Sequence, residues 1–427
     1  MSLGWISIFR LGLVQMGLGA IVVLTTSTLN RLMVVELALP AVLPGMLVAL
    51  HYGIQITRPN WGFISDLGGH RTSWIIGGMV LLAAGAVIAA AAIPLFETGF
   101  WYGLVPSILA YALIGLGAGA SGTSLLALLA TSTEPRRRPA AATITWLMMI
   151  FGIAVTAASV GAVLEPYSHG RLLRIVALVT LGAVLVTTIA VWGIERRVEA
   201  RSEPEPMRFR EGLTEIWGEP KARLFTIFVF LSMSAYFMQE LILEPYAGLV
   251  FGFTPGQSTS LSGAQNGGVF LGMLLVGIAA TGFRIGSLRA WVVVGCLGSS
   301  GALAVISLIG QLSLTGLFPA VVLLGVFNGM FAVAAIGSMM ALAGEGRTAR
   351  EGTRMGLWGA AQAMAAGFGG LLGAAAVDLL RHVMETPQAF ASVFVFEAVL
   401  FVAAAVMASK IISTPAYQVG RAIIPGE

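Results

Sequence analysis

Residues 30–74 read NRLMVVELALPAVLPGMLVALHYGIQITRPNWGFISDLGGHRTSW, and this stretch decides the fold. An apolar span ends with Asn30, Arg31 and Glu36, polar groups at or just inside a membrane boundary. A second apolar span follows, carrying His51 and Gln55. Then comes a short loop, Gly62-x-x-x-Asp66-x-x-Gly69-His70-Arg71, before the next apolar run. Span, polar edge, span, tight loop, span is the grammar of a chain that crosses a bilayer repeatedly.

Composition agrees. The chain is 57% hydrophobic and 10% charged over 427 residues, whereas soluble domains carry about 25% charged residues. So few charges cannot cover a water-facing surface. The solvent must be lipid over most of the length, where only helices or closed barrels satisfy the backbone. Barrel strands would alternate polar and apolar residues, and these runs are continuously apolar. The expected fold class is therefore an all-α integral membrane protein. Apolar windows at 11–35, 40–57, 73–95, 103–131, 140–164 and 172–194, then at 222–248, 261–282, 288–311, 315–343, 353–380 and 388–411, predict twelve transmembrane helices in two six-helix halves.

The expected divisions are 1–194 for the first half, 195–221 for a linker, 222–411 for the second half and 412–427 for a tail. With the N-terminus placed inside, all but Arg31, Arg171, Arg174 and Arg381 of the 24 Lys and Arg residues fall on the inner side, as the positive-inside rule requires. This makes both termini cytoplasmic. In the linker, Phe209, Leu213, Ile216 and Trp217 recur on one helical face, so either an interfacial helix or one packed under the bundle is expected. The net charge of +4 is small, and the basic residues sit in scattered short loops. That argues against nucleic acid as a partner. Cys296, the single cysteine, lies in an apolar run and cannot form an internal disulfide.

The halves echo each other weakly. ELALP at 36–40 returns as ELILEP at 240–245, and Trp74 and Trp291 open the third and ninth spans. Glu36, Glu240 and Glu244 are thereby expected near span ends in matching places. A carboxyl group in a span is costly and so a functional candidate, with Arg31 as a structural partner for Glu36 on the other view. Asp378 and Glu397 lie within or near the last two spans. Asn328, Gln362, Gln265 and Asn266 are neutral polar candidates for a central cavity. Glycines such as Gly117, Gly325, Gly329 and Gly370 form small-residue faces for close helix crossing. The sequence contains no Walker loop, no HExxH, no Cys/His metal spacing and no DDxxD-type motif, so an enzyme acting alone is not expected.

The Gly62–Arg71 loop resembles the signature between the second and third spans of the major facilitator superfamily, where such loops latch the cytoplasmic side. Gly62 and Gly69 allow tight turns, and Asp66 and Arg71 supply the polar contacts. Leu67 and Thr72 depart from the usual basic residues. Together with MQELILEPYAGLVFGFTPGQSTSL and GLWGAAQAMAAGFGG, the stretch resembles one branch of that superfamily, the PucC and LhaA bacteriochlorophyll-delivery family. The resemblance implies a major-facilitator-like body in the inner (intracytoplasmic) membrane of a photosynthetic bacterium. It also implies bacteriochlorophyll, bound or as cargo. The implied partners are the bilayer, bacteriochlorophyll synthase and antenna or reaction-centre polypeptides. His51 then becomes a candidate ligand for the pigment magnesium, against the plainer view of a packed, hydrogen-bonded imidazole. A proton-coupled transporter of a small solute and a non-catalytic subunit of the synthase complex are the alternatives.

Overall fold

The computed structural model describes residues 3–55, 71–134, 138–194, 217–283, 285–344 and 351–412. The linker helix expected at 209–217 lies almost wholly outside them, as do Gly62, Asp66 and Gly69 of the loop. Within the described residues every regular element is helical. The long ones, in order, are α1 (Trp5–Glu36), α2 (Val42–Ile54), α3 (Arg71–Ala92), α4 (Phe100–Ser132), α5 (Arg138–Val163) and α6 (His169–Val191), then α7 (Pro220–Phe251), α8 (Pro255–Gly277), α9 (Leu288–Gln311), α10 (Leu317–Gly344), α11 (Glu351–Leu380) and α12 (Thr386–Ile411). Eleven are long and apolar enough to cross a bilayer, and α2, with 13 described residues, is the shorter twelfth.

Two helices start six residues before their apolar windows. The first begins at Trp5, not near residue 11, because Arg10 does not mark a boundary. Its guanidinium donates to Ile189 O at 3.2 Å and Trp192 O at 2.7 Å, carbonyls at the end of α6, where helical donors run out. The eighth begins at Pro255, not near 261. Thr254 Oγ1 accepts from Gln257 N (3.3 Å) while Gln257 Oε1 accepts from Thr254 N (3.0 Å). This capping box, with proline at the first helical position, starts the helix in a polar stretch.

Buried side chains form two clusters. One is built largely from α1–α6, with Ile8, Leu82 and Tyr111 at its centre. The other is built largely from α7–α12 around Phe225, Phe331, Phe394 and Trp358. They meet where Ile150 of α5 joins the second cluster and Leu241 and Ala374 join the first. Small residues permit the close crossings within each half. A Cβ on Gly117 of α4 would lie 2.6 Å from Gly78 O of α3, and one on Gly329 of α10 would meet the carbonyl of Val269 on α8. Outward faces stay greasy: Leu178, Ile189 and Leu379 are about 70% exposed in the isolated chain, as expected for surfaces that lipid covers.

Two helices are irregular where the halves meet. In α1 the run LTTST at 24–28 widens into a π-helical turn, and Leu32–Glu36 does so again. Thr25 and Thr26 both donate to Val22 O, at 2.8 and 3.1 Å, and such back-bonding competes with the regular ladder. In α7, Pro245 sits inside the helix. Glu240 and Glu244 are therefore not at a span end, as the echo of ELALP suggested. The helix runs on to Phe251, because the carbonyl that Pro245 cannot serve is bonded from α1.

Candidate functional site

Four helices, two from each half, enclose a small cavity. Its lining is Thr26 of α1, Val48 and Tyr52 of α2, Phe237, Glu240 and Leu241 of α7, and Ala366 and Gly370 of α11. The spacings are those of single helix faces: 48 and 52, 237 with 240 and 241, 366 and 370. The free space holds about one water molecule. Tyr52 closes one wall, its ring centroid 5.8 Å from that of Phe237 in an edge-on arrangement. Glu240 is the only acidic side chain in the lining, and no hydrogen bond or ion pair among the described residues reaches its carboxyl group. Gln362 is half-buried one turn before Ala366, so it shares the α11 face that leads to the cavity.

One turn beyond Glu240, Glu244 is fully buried. Its carboxyl group lies beside the hydroxyls of Ser27, Thr259 and Ser262, with Arg31 the nearby positive charge. Those hydroxyls also bond one another across the halves: Ser27 Oγ to Ser262 Oγ at 2.9 Å, and Thr259 Oγ1 donating to Thr28 Oγ1 at 3.2 Å. This polar layer was not legible as a site. Its serines and threonines are scattered over α1 and α8, and only the fold assembles them around one carboxyl group.

Arg31 is buried and donates to Glu36 Oε1 at 2.5 Å and to Phe253 O at 2.6 Å, while Glu36 is 40% exposed. Glu36 thus stands at the mouth of the bundle, apart from the cavity. Asp378 is not in the cavity either. Its two carboxylate oxygens accept from the backbone N–H groups of Ala41 (3.0 Å) and Val42 (2.7 Å), capping the start of α2. Glu165, which the sequence did not single out, does the same for α8: its Oε1 accepts from Gly256 N at 3.0 Å.

His51 is buried, with its Nε2 3.0 Å from the Gln55 side-chain nitrogen and its ring 4.7 Å from that of Tyr52. Asn328 lies in the core of the second half, where its Oδ1 accepts from Ser299 Oγ at 2.7 Å. Arg71 opens α3 and donates to Ala127 O at 2.8 Å. The structure therefore brings Glu240, Glu244 and Gln362 to the inter-half region. It holds Asp378 in a contact between the halves outside the cavity, disperses Glu36, Asn328 and Arg71 among other structural contacts, and leaves His51 behind the cavity wall. No group of three or more His, Cys, Asp or Glu side chains among the described residues could hold a metal ion.

Residues 28–416 match the family described as PUCC protein. The chain belongs to that family. It is 65% identical over 414 residues to the "Bacteriochlorophyll synthase 44.5 kDa chain" of Rhodobacter capsulatus, covering 97% of each chain. It is 30% identical over 275 residues to Protein PucC of the same species, covering 60% of this chain and 59% of that one. Among solved structures it resembles a bacterial homologue of the human lysosomal transporter Spinster, with a TM-score of 0.71 at 16% identity, over 97% of this chain and 100% of that one. At that identity the likeness speaks for the fold alone, and the fold of this PUCC-family chain is major-facilitator-like.

Proposed function

We propose that this chain is a non-catalytic membrane assembly factor that handles bacteriochlorophyll and passes it to light-harvesting or reaction-centre polypeptides. The observation that carries this reading is the family match across 28–416, together with the 65% identical relative named for bacteriochlorophyll synthase. The absence of catalytic motifs from the sequence favours handling over synthesis.

On this reading the pigment is cargo. A macrocycle does not fit at His51 in this conformation: the ring is 2% exposed, and its Nε2 is engaged by Gln55. Nor does it fit the cavity, which admits about one water. A flat apolar molecule with a long tail stays in the bilayer, so its handler meets it on lipid-facing surfaces between helices. The test is purification from a phototrophic host in mild detergent. Co-purifying bacteriochlorophyll with antenna or reaction-centre peptides supports the proposal.

A second reading has one specific support, the uncompensated Glu240 carboxyl group in the cavity between the halves. That placement suits a proton-coupled transporter of a small solute. Pigment-free protein that moves a water-soluble substrate with protons would favour it. A co-purified synthase without antenna peptides would instead favour an accessory subunit of the synthase complex.

A further inference from the structure

We infer that Asp378 and Glu165 are a matched pair of latches that hold the two halves together at the face where α1 ends and α2 begins, and that the body opens there when both release. The inference stands independently of what the protein handles.

The two contacts are reciprocal. Asp378, two residues before the end of α11, takes the amides of Ala41 and Val42 at the start of α2. Glu165, two residues past the end of α5, takes the amide of Gly256 in the first turn of α8. α5 and α11 are the fifth spans of their halves, and α2 and α8 are the second. Each half thus sends a carboxylate from its fifth span to the open N-terminus of the other half's second span. Local sequence does not repeat this arrangement: LEPYSHG surrounds Glu165 and VDLLRHV surrounds Asp378. The likeness is one of position in the fold, produced by a loop residue in one half and a helical residue in the other.

A carboxylate on free helix N–H groups is a charge-assisted contact aligned with the helix dipole. The other hydrogen bonds that join the halves, as far as the described residues show them, lie toward the same face. They are Asn30 to Leu241 O, Arg31 to Phe253 O, and the hydroxyl pairs Ser27–Ser262 and Thr259–Thr28. Contacts of this kind differ from apolar packing in one decisive way. Water that enters an opening mouth can replace them, so each contributes only a modest net stability to the closed state. Carboxylates and helix N-termini at a membrane face are satisfied equally by each other or by solvent. A seam fastened by them holds its register and still parts.

The test uses the full chain in sealed vesicles with Ser262→Cys as a reporter. Ser262 is 4% exposed and lies in the seam, while the native Cys296 is fully buried within the second half and serves as an internal control. A membrane-impermeant maleimide is added from each side in turn. The expected result is slow labelling in the parent. Asp378→Ala with Glu165→Ala should label at least tenfold faster from the α1–α2 face alone, with each single change intermediate and Cys296 protected throughout. The pair Asp378→Asn with Glu165→Gln, which keeps side-chain size and one acceptor oxygen at each site but removes the charge, should show a smaller gain from the same side. Unchanged labelling of position 262 in the alanine pair, or an equal gain from both faces, would overturn the inference.

Discussion

Asn30 donates its side-chain amide to the carbonyl oxygen of Leu241 at 2.6 Å. Leu241 lies four residues before Pro245, which has no N–H to give it. A proline within a buried transmembrane helix is tolerated only when a neighbour serves the freed carbonyl, and here the neighbour belongs to the opposite half. Asn30→Ala should therefore destabilise the protein by about 1–3 kcal/mol, the cost of an unserved buried carbonyl. Pro245→Ala in the same chain should recover much of that loss, because alanine restores the helical donor. Unfolding midpoints of the four proteins in detergent form the cycle, and simple additivity would count against the pairing.

Arg31 and Glu36 should respond unequally to substitution. Glu36 is 40% exposed, so Glu36→Gln should cost no more than about 1 kcal/mol. Arg31 is buried, and it also serves Phe253 O and lies near Glu244. Arg31→Met should cost about 2–4 kcal/mol, since it removes the charge that answers these groups. Denaturant titration of both variants checks the order, and equal losses would contradict it.

Two glycines separate packing from mere composition. A Cβ on Gly329 runs into the backbone of α8 at Val269, whereas one on Gly182 in α6 meets nothing within 4 Å. Gly329→Ala should destabilise by about 1–3 kcal/mol through overpacking. Gly182→Ala should be neutral or stabilise by up to about 1 kcal/mol, as alanine suits a helix better. Thermal unfolding in detergent reads both.

Glu240→Gln tests the rival to pigment handling. The amide keeps the shape of the cavity lining and cannot exchange a proton. If pigment travels on lipid-facing surfaces, antenna content in a host carrying this variant should stay within about twofold of the parent, since a neutral isostere in the lining changes binding energies by well under 1 kcal/mol. Near-infrared absorbance of the membranes measures it, and loss of assembled antenna would point to the cavity instead.

Much of the architecture was legible because hydrocarbon leaves the backbone only helices or closed barrels, so long, continuously apolar runs such as 288–311 translate directly into helices. Positions along those helices were harder. Lipid and protein interior are both apolar, so the pattern of α10 or α11 barely distinguishes the face toward Asn328 or Gly370 from the face toward lipid. Polar residues misled in a regular way. Arg10 and the TPGQSTS stretch looked like boundaries, yet one serves the end of α6 and the other starts α8. The echo of ELALP in ELILEP implied matching carboxylates, but Glu36 stands at the mouth and Glu240 in the cavity, since Asn30 lets α7 continue through Pro245. Glu165 carried no local signal, because its meaning depends on the start of a helix ninety residues away.

Deletion of the gene from its phototrophic host, with assembled antenna and synthase activity measured in the same membranes, tests pigment handling most directly. The account predicts that antenna absorbance fails to develop while synthase activity stays at the parental level and finished pigment accumulates unassembled. A host without this chain that builds and fills its antennae normally would contradict it.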